Sequence, residues 1–279
     1  MIRGGRSRVR PGIRQAGAVL PAITFLGHAT VLVDLGGFRV LTDPVLLPRV
    51  VFLRRVAERH DPADHDRVDL VLISHLHHDH CDLPSLRHLG PAPTYVVPAG
   101  AGEWLRAKGF PRVVELGAGA SHREEAGADP VTVTAVTAIH DGRRPGSRLR
   151  AEAVGYLIER GPASVYFAGD TGLFDGMGDL SSLAGTGEID VALLPVWGWG
   201  PNLGPGHLHP RDAAEAVRRI GPRYAVPVHW GTLYPVGMGR FRPHLMHRPP
   251  HDFAEAVARS ASDTQVLVVQ PGQRVPFEP

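Results

Sequence analysis

Short apolar or alternating runs separated by turn residues fill most of the chain, a pattern typical of β-strands. Asp69–Ser74 is continuously apolar and ends in polar residues, as expected of a buried strand. The runs that predict strands are Ile23–Gly27, Thr30–Leu35, Phe38–Thr42, Asp69–Ser74, Val131–Ile139, Ala153–Glu159, Ser164–Ala168, Asp190–Pro195, Tyr224–Val228 and Gln265–Val269.

Four segments predict helices: Pro84–Leu89, Ala99–Lys108, Pro210–Ile220 and Asp252–Ser260. The pattern is clearest in Pro210–Ile220, because its apolar residues fall on one face and proline is tolerated at a helix start. No linker divides the chain. We therefore predict an α/β fold in which residues 21–279 form one domain whose two halves share a core. Residues 1–20 are expected to be a loose basic arm, either without a role or with a function.

Composition narrows the function classes. Hydrophobic residues make up 43% of the 279 residues, which is enough for a sizeable core. A net charge of +2 slightly favours anionic small molecules but does not argue for nucleic acid. The single cysteine, Cys81, excludes an internal disulfide and fits a reducing cytoplasm. No apolar run is long enough to span a membrane.

The strongest chemical signal is the segment Ser74–His80, which reads Ser-His-Leu-His-His-Asp-His after an apolar strand. Residues two apart in an extended segment point the same way, so His75 and His77 can reach one metal ion. Asp79 and His80 follow and can face a second ion. Imidazole and carboxylate groups suit Zn²⁺, iron or Mn²⁺. The alternative is a polar loop in a chain with 16 histidines, which explains this spacing less well.

Three further polar residues end apolar strands: His140, Asp170 and His229. The carboxyl ends of strands are where α/β folds gather ligands. Each residue alone could simply cap its strand. Together with the Ser74–His80 motif they complete seven ligands for two metal ions, which leaves Cys81 as a packed residue and not a ligand.

From about Ile23 to Val269, the chain resembles the metallo-β-lactamase fold superfamily. Within it, the sequence is most similar to the branch that contains N-acylphosphatidylethanolamine phospholipase D and the ascorbate-6-phosphate lactonases. The segments that carry the resemblance are Phe25–Thr30 (Phe-Leu-Gly-His-Ala-Thr), Leu41–Pro44 (Leu-Thr-Asp-Pro), His75–His80, Ala168–Gly172 and Val228–Thr232.

The resemblance implies a four-layer αββα sandwich with two divalent metal ions at one edge, zinc first, with manganese and iron as alternatives. It implies that one site consists of His75, His77 and His140, and that Asp170 bridges to a second site. The second site would consist of Asp79, His80 and His229.

Two residues of the resembling segments are expected beside the metals. Asp43 is predicted to orient a ligand histidine through its second ring nitrogen. The alternative is a turn aspartate before Pro44, which is a common arrangement. His28 is predicted to contact the substrate.

The loop 195–201 is rich in aromatic and turn residues and is predicted to wall the pocket, with Trp199 contacting substrate. His207 and His209 follow it. In the resembling branch a histidine at this place faces the substrate, which makes His209 a candidate proton donor. The alternative is a structural histidine at a helix start.

The segment 141–150 follows His140 and contains four arginines. Arginine matches phosphate oxygens with a planar fork of donors, so Arg143 or Arg144 is predicted to grip an anionic substrate. The segment 239–242 could bring two more arginines. The alternative is a solvated loop in an arginine-rich chain.

The predicted function is a metal-dependent hydrolase in which Asp79 and Asp170 serve catalysis. Two ions about 3.5–4 Å apart can share a water and lower its pKa, so that it attacks a phosphorus or carbonyl centre. The predicted substrate is a phosphodiester or another anionic small-molecule or lipid-like compound. The alternatives are a lactone, ester or amide hydrolase and, in another class, an iron-dependent redox protein, against which the full ligand set argues.

Overall fold

The computed structural model describes residues 21–58, 61–198, 200, 203–238, 243–260 and 263–277. Strands dominate this part of the chain. They are β1 (Ala22–Gly27), β2 (Thr30–Leu35), β3 (Phe38–Thr42), β4 (Arg49–Val50), β5 (Leu53–Arg55), β6 (Leu70–Leu72), β7 (Thr94–Pro98), β8 (Val113–Leu116), β9 (Ser121–Glu124), β10 (Val131–Thr137), β11 (Val154–Arg160), β12 (Ala163–Phe167), β13 (Val191–Pro195), β14 (Tyr224–Val228), β15 (Leu233–Pro235), β16 (Gln265–Val266) and β17 (Arg274–Pro276).

The helices are short and lie between strands. They are α1 (Leu83–Leu89), α2 (Gly102–Ala107), α3 (Leu180–Leu183), α4 (Pro210–Ile220) and α5 (Arg248–Arg259). The α1 helix starts where Asp82 accepts a hydrogen bond from the backbone N–H of Ser85 at 3.0 Å, a typical N-cap. Within the described residues, no helix is both long and apolar enough to cross a membrane.

Two seven-stranded sheets form the frame, with spatial orders β17-β1-β2-β3-β6-β7-β8 and β16-β14-β13-β12-β11-β10-β9. Each sheet is antiparallel at one side and parallel at the other, because β6, β7 and β8 run parallel to β3 in the first sheet, as β13, β14 and β16 run parallel to β12 in the second. A small third sheet has the order β15-β5-β4.

The core lies between the two large sheets, where side chains such as Ile23, Phe25 and Val133 are fully buried. A second cluster, with Ile73 and Leu105, packs α1 and α2 on the outer face of the first sheet. Helices α4 and α5 cover the second sheet. This four-layer arrangement confirms the predicted αββα sandwich.

Several predicted elements, such as Thr30–Leu35 and Pro210–Ile220, have the bounds that the sequence pattern gave. The predicted helix Ala99–Lys108 is shorter, Gly102–Ala107, the predicted strand Val131–Ile139 ends at Thr137, and the C-terminal elements also differ. The predicted helix Asp252–Ser260 begins earlier, at Arg248, because its two prolines occupy the first turn, where no N–H is required. The predicted strand Gln265–Val269 ends at Val266. The chain then crosses to the first sheet. There the backbone N–H of Gly272 donates to the carbonyl oxygen of Phe25, and β17 pairs with β1. The predicted basic arm, residues 1–20, lies outside the described residues.

Candidate metal centre

The Ser74–His80 motif forms a tight turn at the end of β6. The backbone N–H groups of His80 and Cys81 both donate to the carbonyl oxygen of His77, at 3.1 and 2.8 Å. This turn brings the candidate ligand side chains of the motif together with those of the loops that begin after β10, β12 and β14. Cys81 is buried, and burial raises the pKa of its thiol to about 12, which fits a packed residue.

His75, His77 and His140 form one cluster, in which the candidate ligand atoms all lie within 4.8 Å of one another. Nε2 of His140 is 3.2 Å from Nδ1 of His77. His75 is fully buried, and its Nε2 has no hydrogen-bond partner among the described residues. An unpartnered buried nitrogen is costly, and a metal ion would satisfy it. These side chains therefore fit a metal ion.

Asp79, His80 and His229 form a second cluster together with His28. Nε2 of His80 lies 3.2 Å from Nε2 of His229, which is 3.9 Å from the Asp79 carboxylate. His229 has a left-handed backbone, φ 63°, and its Nδ1 bonds to the carbonyl oxygen of Trp197. With Nδ1 engaged, Nε2 is the atom directed at the cluster.

Asp170 lies between the two clusters and is 4% exposed. Its Oδ2 is 3.3 Å from Nε2 of His80 and 4.0 Å from Nε2 of His140. Its Oδ1 accepts no hydrogen bond from any described residue. The close approach depends on Gly169, φ 59°, because a Cβ there would lie 2.5 Å from the Cβ of Ser74. One carboxylate thus reaches ligand candidates of both clusters.

Asp43 is buried behind the clusters and connects them. Its Oδ2 accepts from Ser74 Oγ at 2.6 Å and from His80 Nδ1 at 2.7 Å, and its Oδ1 accepts from the Ser74 backbone N–H at 2.7 Å. Ser74 Oγ also lies 3.0 Å from Nδ1 of His75. The carboxylate therefore does more than end a turn before Pro44, because it contacts one histidine of the second cluster and, through Ser74, one of the first.

The electrostatics of the two clusters favour a bound cation. Burial lowers the pKa of His28 to about 3 and that of His77 to about 4, so both imidazoles are neutral near pH 7, the form that binds metals. Burial alone would raise the pKa of Asp170, but the surrounding histidines, above all His229 and His80, hold it well below its usual value. Burial likewise opposes a proton on His80, yet neighbouring carboxylates hold that pKa high. A divalent cation bound between the clusters would be attracted by the same carboxylates.

His207, and not the predicted His209, reaches this centre. Nε2 of His207 is 3.7 Å from Oδ2 of Asp170, and its ring meets the His140 ring edge-on at 4.7 Å. The preceding Gly206, φ 100°, allows the loop to lie against His140, whose Nδ1 donates to the Gly206 carbonyl at 2.8 Å. His209 is instead the residue before α4. Its backbone N–H donates to Asp212, and it lines a cleft between α4 and α5.

We expect His207→Ala to lower turnover by about 10²-fold, the lower end of what a proton-transferring side chain contributes. His209→Ala is the matched control, since it removes the same side chain two residues away, and it should retain wild-type turnover. The measurement is the initial rate of hydrolysis of bis(p-nitrophenyl) phosphate and of a neutral lactone by the metal-loaded protein. A larger loss in His209→Ala than in His207→Ala would restore the sequence prediction.

The predicted arginine grip is not formed by Arg144. Its guanidinium is buried and donates to the carbonyl oxygens of Leu76 and Cys81, at 3.2 and 2.9 Å. It also contacts Nδ1 of His78 at 3.0 Å and lies over the ring of Trp104. The contacts with Leu76, His78 and Cys81 hold together the turn that carries the candidate ligands. The prediction failed because the arginine content of a loop does not show which side chain is buried.

Arg143 is exposed and forms an ion pair with Asp141, two residues earlier. This pair supports the solvated alternative for that side chain. His28 is buried, and its Nε2 lies 3.1 Å from the Asp79 carboxylate, so the structure places it beside a candidate ligand. Trp199 and the segment 239–242, predicted to contact substrate, lie outside the described residues.

Arg144→Ala should lower the free energy of unfolding by about 1–3 kcal/mol, because it leaves buried carbonyl oxygens without donors. Arg143→Ala is the matched control and should unfold at the wild-type denaturant midpoint, because its partner stays hydrated. Urea titrations of both variants give the comparison. Equal midpoints for the two variants would remove Arg144 from the scaffold of the ligand turn.

Residues 38–230 match the family model described as beta-lactamase superfamily domain. The chain belongs to the beta-lactamase superfamily. This membership confirms the resemblance inferred from the sequence.

Named relatives refine the membership. A metal-dependent hydrolase of Methanopyrus kandleri is 31% identical over 90% of this chain and 97% of its own length. N-acyl-phosphatidylethanolamine-hydrolyzing phospholipase D 1 of Caenorhabditis elegans is 32% identical over 77% of this chain and 64% of its own. The structure of Igni18, a metallo hydrolase from Ignicoccus hospitalis, is 25% identical with a TM-score of 0.71, covering 92% of this chain and 98% of that one. The chain is thus a member of the metal-dependent hydrolases of this superfamily.

Proposed function

We propose that this protein is a dinuclear metal-dependent hydrolase whose two ions are held by the two histidine clusters. The observation that carries the proposal is the position of Asp170, since its carboxylate lies within 4.0 Å of Nε2 of both His80 and His140. One cluster would use His75, His77 and His140, and the other Asp79, His80 and His229. Asp170 would belong to both.

The chain's own residues supply the rest of the chemistry. Metals bound there would polarise a substrate oxygen and lower the pKa of an attacking water. Asp43 fixes the orientation of His80, and the Trp197 carbonyl fixes that of His229. His207, half-buried beside Asp170, takes the role predicted for His209, to contact the substrate and exchange a proton with it.

The proposed substrate is a phosphodiester or another anionic small molecule, with a lipid-like compound as the first choice. The support is the likeness to the phospholipase of C. elegans, whose name states a phosphodiester lipid substrate. Hydrolysis of a lactone, ester or amide is the second candidate. Two contacts in the structure support this second candidate, because both predicted anion-binding arginines are engaged elsewhere. Arg144 is buried and bonded to the backbone, and Arg143 is paired with Asp141.

The experiment that tests the proposal compares phosphodiesters with neutral lactones and esters, each assayed before and after dialysis against a chelator. We expect turnover of at least one class, lost on chelation and restored by metal. Turnover that survives chelation would overturn the metal-dependent mechanism.

We also propose a cytoplasmic location, which the single buried thiol of Cys81 supports.

Protein purified without chelator should contain close to two metal ions per chain, zinc being expected first. The first reason is that the two clusters offer imidazole and carboxylate groups without sulfur. The second is that Nε2 of His75 and Oδ1 of Asp170 are buried and have no hydrogen-bond partner among the described residues. Elemental analysis measures both number and identity. Trace metal only would contradict the proposal, and two iron ions together with oxygen consumption would favour the redox alternative.

A further inference from the structure

The hairpin formed by β4 and β5 ends in an apolar turn that folding alone does not favour. Val50 pairs with Leu53, so the turn consists of Val51 and Phe52, which are 61% and 62% exposed. Val51 has a left-handed backbone, φ 49°. Turns of this length usually carry Asn, Asp or Gly, because a positive φ strains a β-branched residue. Such a strained and exposed position points to function.

The same hairpin places two positive charges side by side. Arg49 and Arg54 are directly opposite each other in the strand register, and both are exposed. In the described part of the chain, no acidic side chain forms an ion pair with either of them. Like charges facing each other across strands are destabilising. An anionic partner would reverse that effect.

The apolar surface continues onto β15, the third strand of this small sheet. The backbone N–H of Val236 donates to the carbonyl oxygen of Phe52 at 3.1 Å, and Val236 is 61% exposed. Val56, the residue directly after β5, is also exposed. We call the face made by β4, β5 and β15 the docking sheet. It has an apolar tip with arginines behind it, and the acidic Glu58 lies exposed at its far edge.

We propose that the docking sheet binds the surface of an anionic lipid bilayer, with Val51 and Phe52 entering the acyl region and Arg49 and Arg54 contacting lipid phosphates. Apolar side chains beside cations match the order of layers at such a surface. A protein partner fits less well, because a stable interface needs about 800 Å² on each side, and the exposed apolar side chains of this sheet are only Val51, Phe52, Val56 and Val236 among the described residues.

The docking sheet is bonded to the loops of the metal centre. The backbone N–H of Val56 donates to the Thr232 carbonyl at 2.8 Å, and Thr232 Oγ1 accepts from the His28 backbone N–H at 2.8 Å. Thr232 lies three residues after His229. Lipid held at this sheet would therefore lie next to the candidate active site. The statement that the bound lipid supplies the substrate rests on the proposed function. Binding to the bilayer surface does not rest on it, because binding does not require hydrolysis.

The test is co-sedimentation of the metal-loaded full chain with phosphatidylcholine vesicles, with and without phosphatidylglycerol. Wild type should bind the anionic vesicles. The double variant Val51→Asn with Phe52→Gly should lower the partition coefficient at least about tenfold, because it removes the inserting side chains. The double variant Arg49→Gln with Arg54→Gln should lower it by roughly fivefold per arginine on anionic vesicles only. Leu183→Asn removes another exposed apolar side chain on α3 and should bind as wild type does.

Thermal unfolding separates docking from a structural role. Val51→Asn with Phe52→Gly should keep or raise the unfolding midpoint, since asparagine suits the left-handed backbone at Val51 and the Phe52 side chain is largely exposed. A lowered midpoint would show that the turn serves the fold. Absence of wild-type binding to anionic vesicles would overturn the proposal. So would a wild-type dimer that this double variant dissociates, because the occupant would then be a second copy of the chain. Failure of hydrolysis alone, with vesicle binding intact, would concern only the proposed function.

Discussion

Asp170→Asn should lower turnover by at least about 10²-fold, the effect of removing an electrostatic element at a reacting centre. Asparagine has nearly the same size but no charge, and its amide would place N–H groups where a carboxylate oxygen now faces His80 or His229. Metal content should fall below two ions per chain, because the variant lacks the carboxylate that we propose as the shared ligand. Rates with bis(p-nitrophenyl) phosphate and elemental analysis are the two measurements.

Asp141→Asn is the matched control for this substitution. Asp141 follows the candidate ligand His140, but its carboxylate is exposed and paired with Arg143. The same chemical change there should leave metal content and turnover at wild-type values. The fold should survive in both variants, which circular dichroism would show. Wild-type rate and two ions in Asp170→Asn would contradict a bridging role for this carboxylate.

The fold and the clustered ligand candidates were predictable because their signals are local. Strands β2, β3 and β14 have the bounds of their apolar runs, and the ends of successive parallel strands must meet at one edge. The predicted runs did not include β4, β5, β7, β8, β9, β15 and β17. Strand β17 was missed because Arg274–Pro276 is short and only half-apolar. It is a strand because it pairs with β1, a contact across most of the chain that no local pattern records.

The surroundings of the clusters were less predictable because they depend on loop paths. His207 and His209 are two residues apart in a glycine-rich segment, and only the bend at Gly206 determines which of them faces Asp170. The signal available in the sequence was the proline after His209, which indicates that His209 belongs to a helix start. Arg144 gave no such signal, because composition does not distinguish a buried guanidinium from an exposed one.

Asp43→Asn should weaken metal binding by about 10- to 100-fold, the effect of losing a partner that orients a ligand histidine. The Asp43 carboxylate now accepts three hydrogen bonds, two from Ser74 and one from His80. An asparagine amide offers one acceptor oxygen and puts its N–H groups against one of these donors. His80, and through Ser74 also His75, would lose a fixed orientation. Competition with a chromophoric chelator measures the affinity.

Loss of stability alone could mimic this result, and the second sheet provides a matched control. Asp190 is also buried, and its carboxylate accepts from the backbone N–H and Oγ of Ser164 at 2.9 and 3.3 Å. Asp190→Asn therefore disturbs the same kind of aspartate–serine pair, but at the amino end of β13, whereas the histidine clusters lie where strands have ended. Both variants should unfold more easily, by about 1–3 kcal/mol each. Only Asp43→Asn should release metal more readily while folded, and equal affinities in the two variants would leave Asp43 as a structural residue.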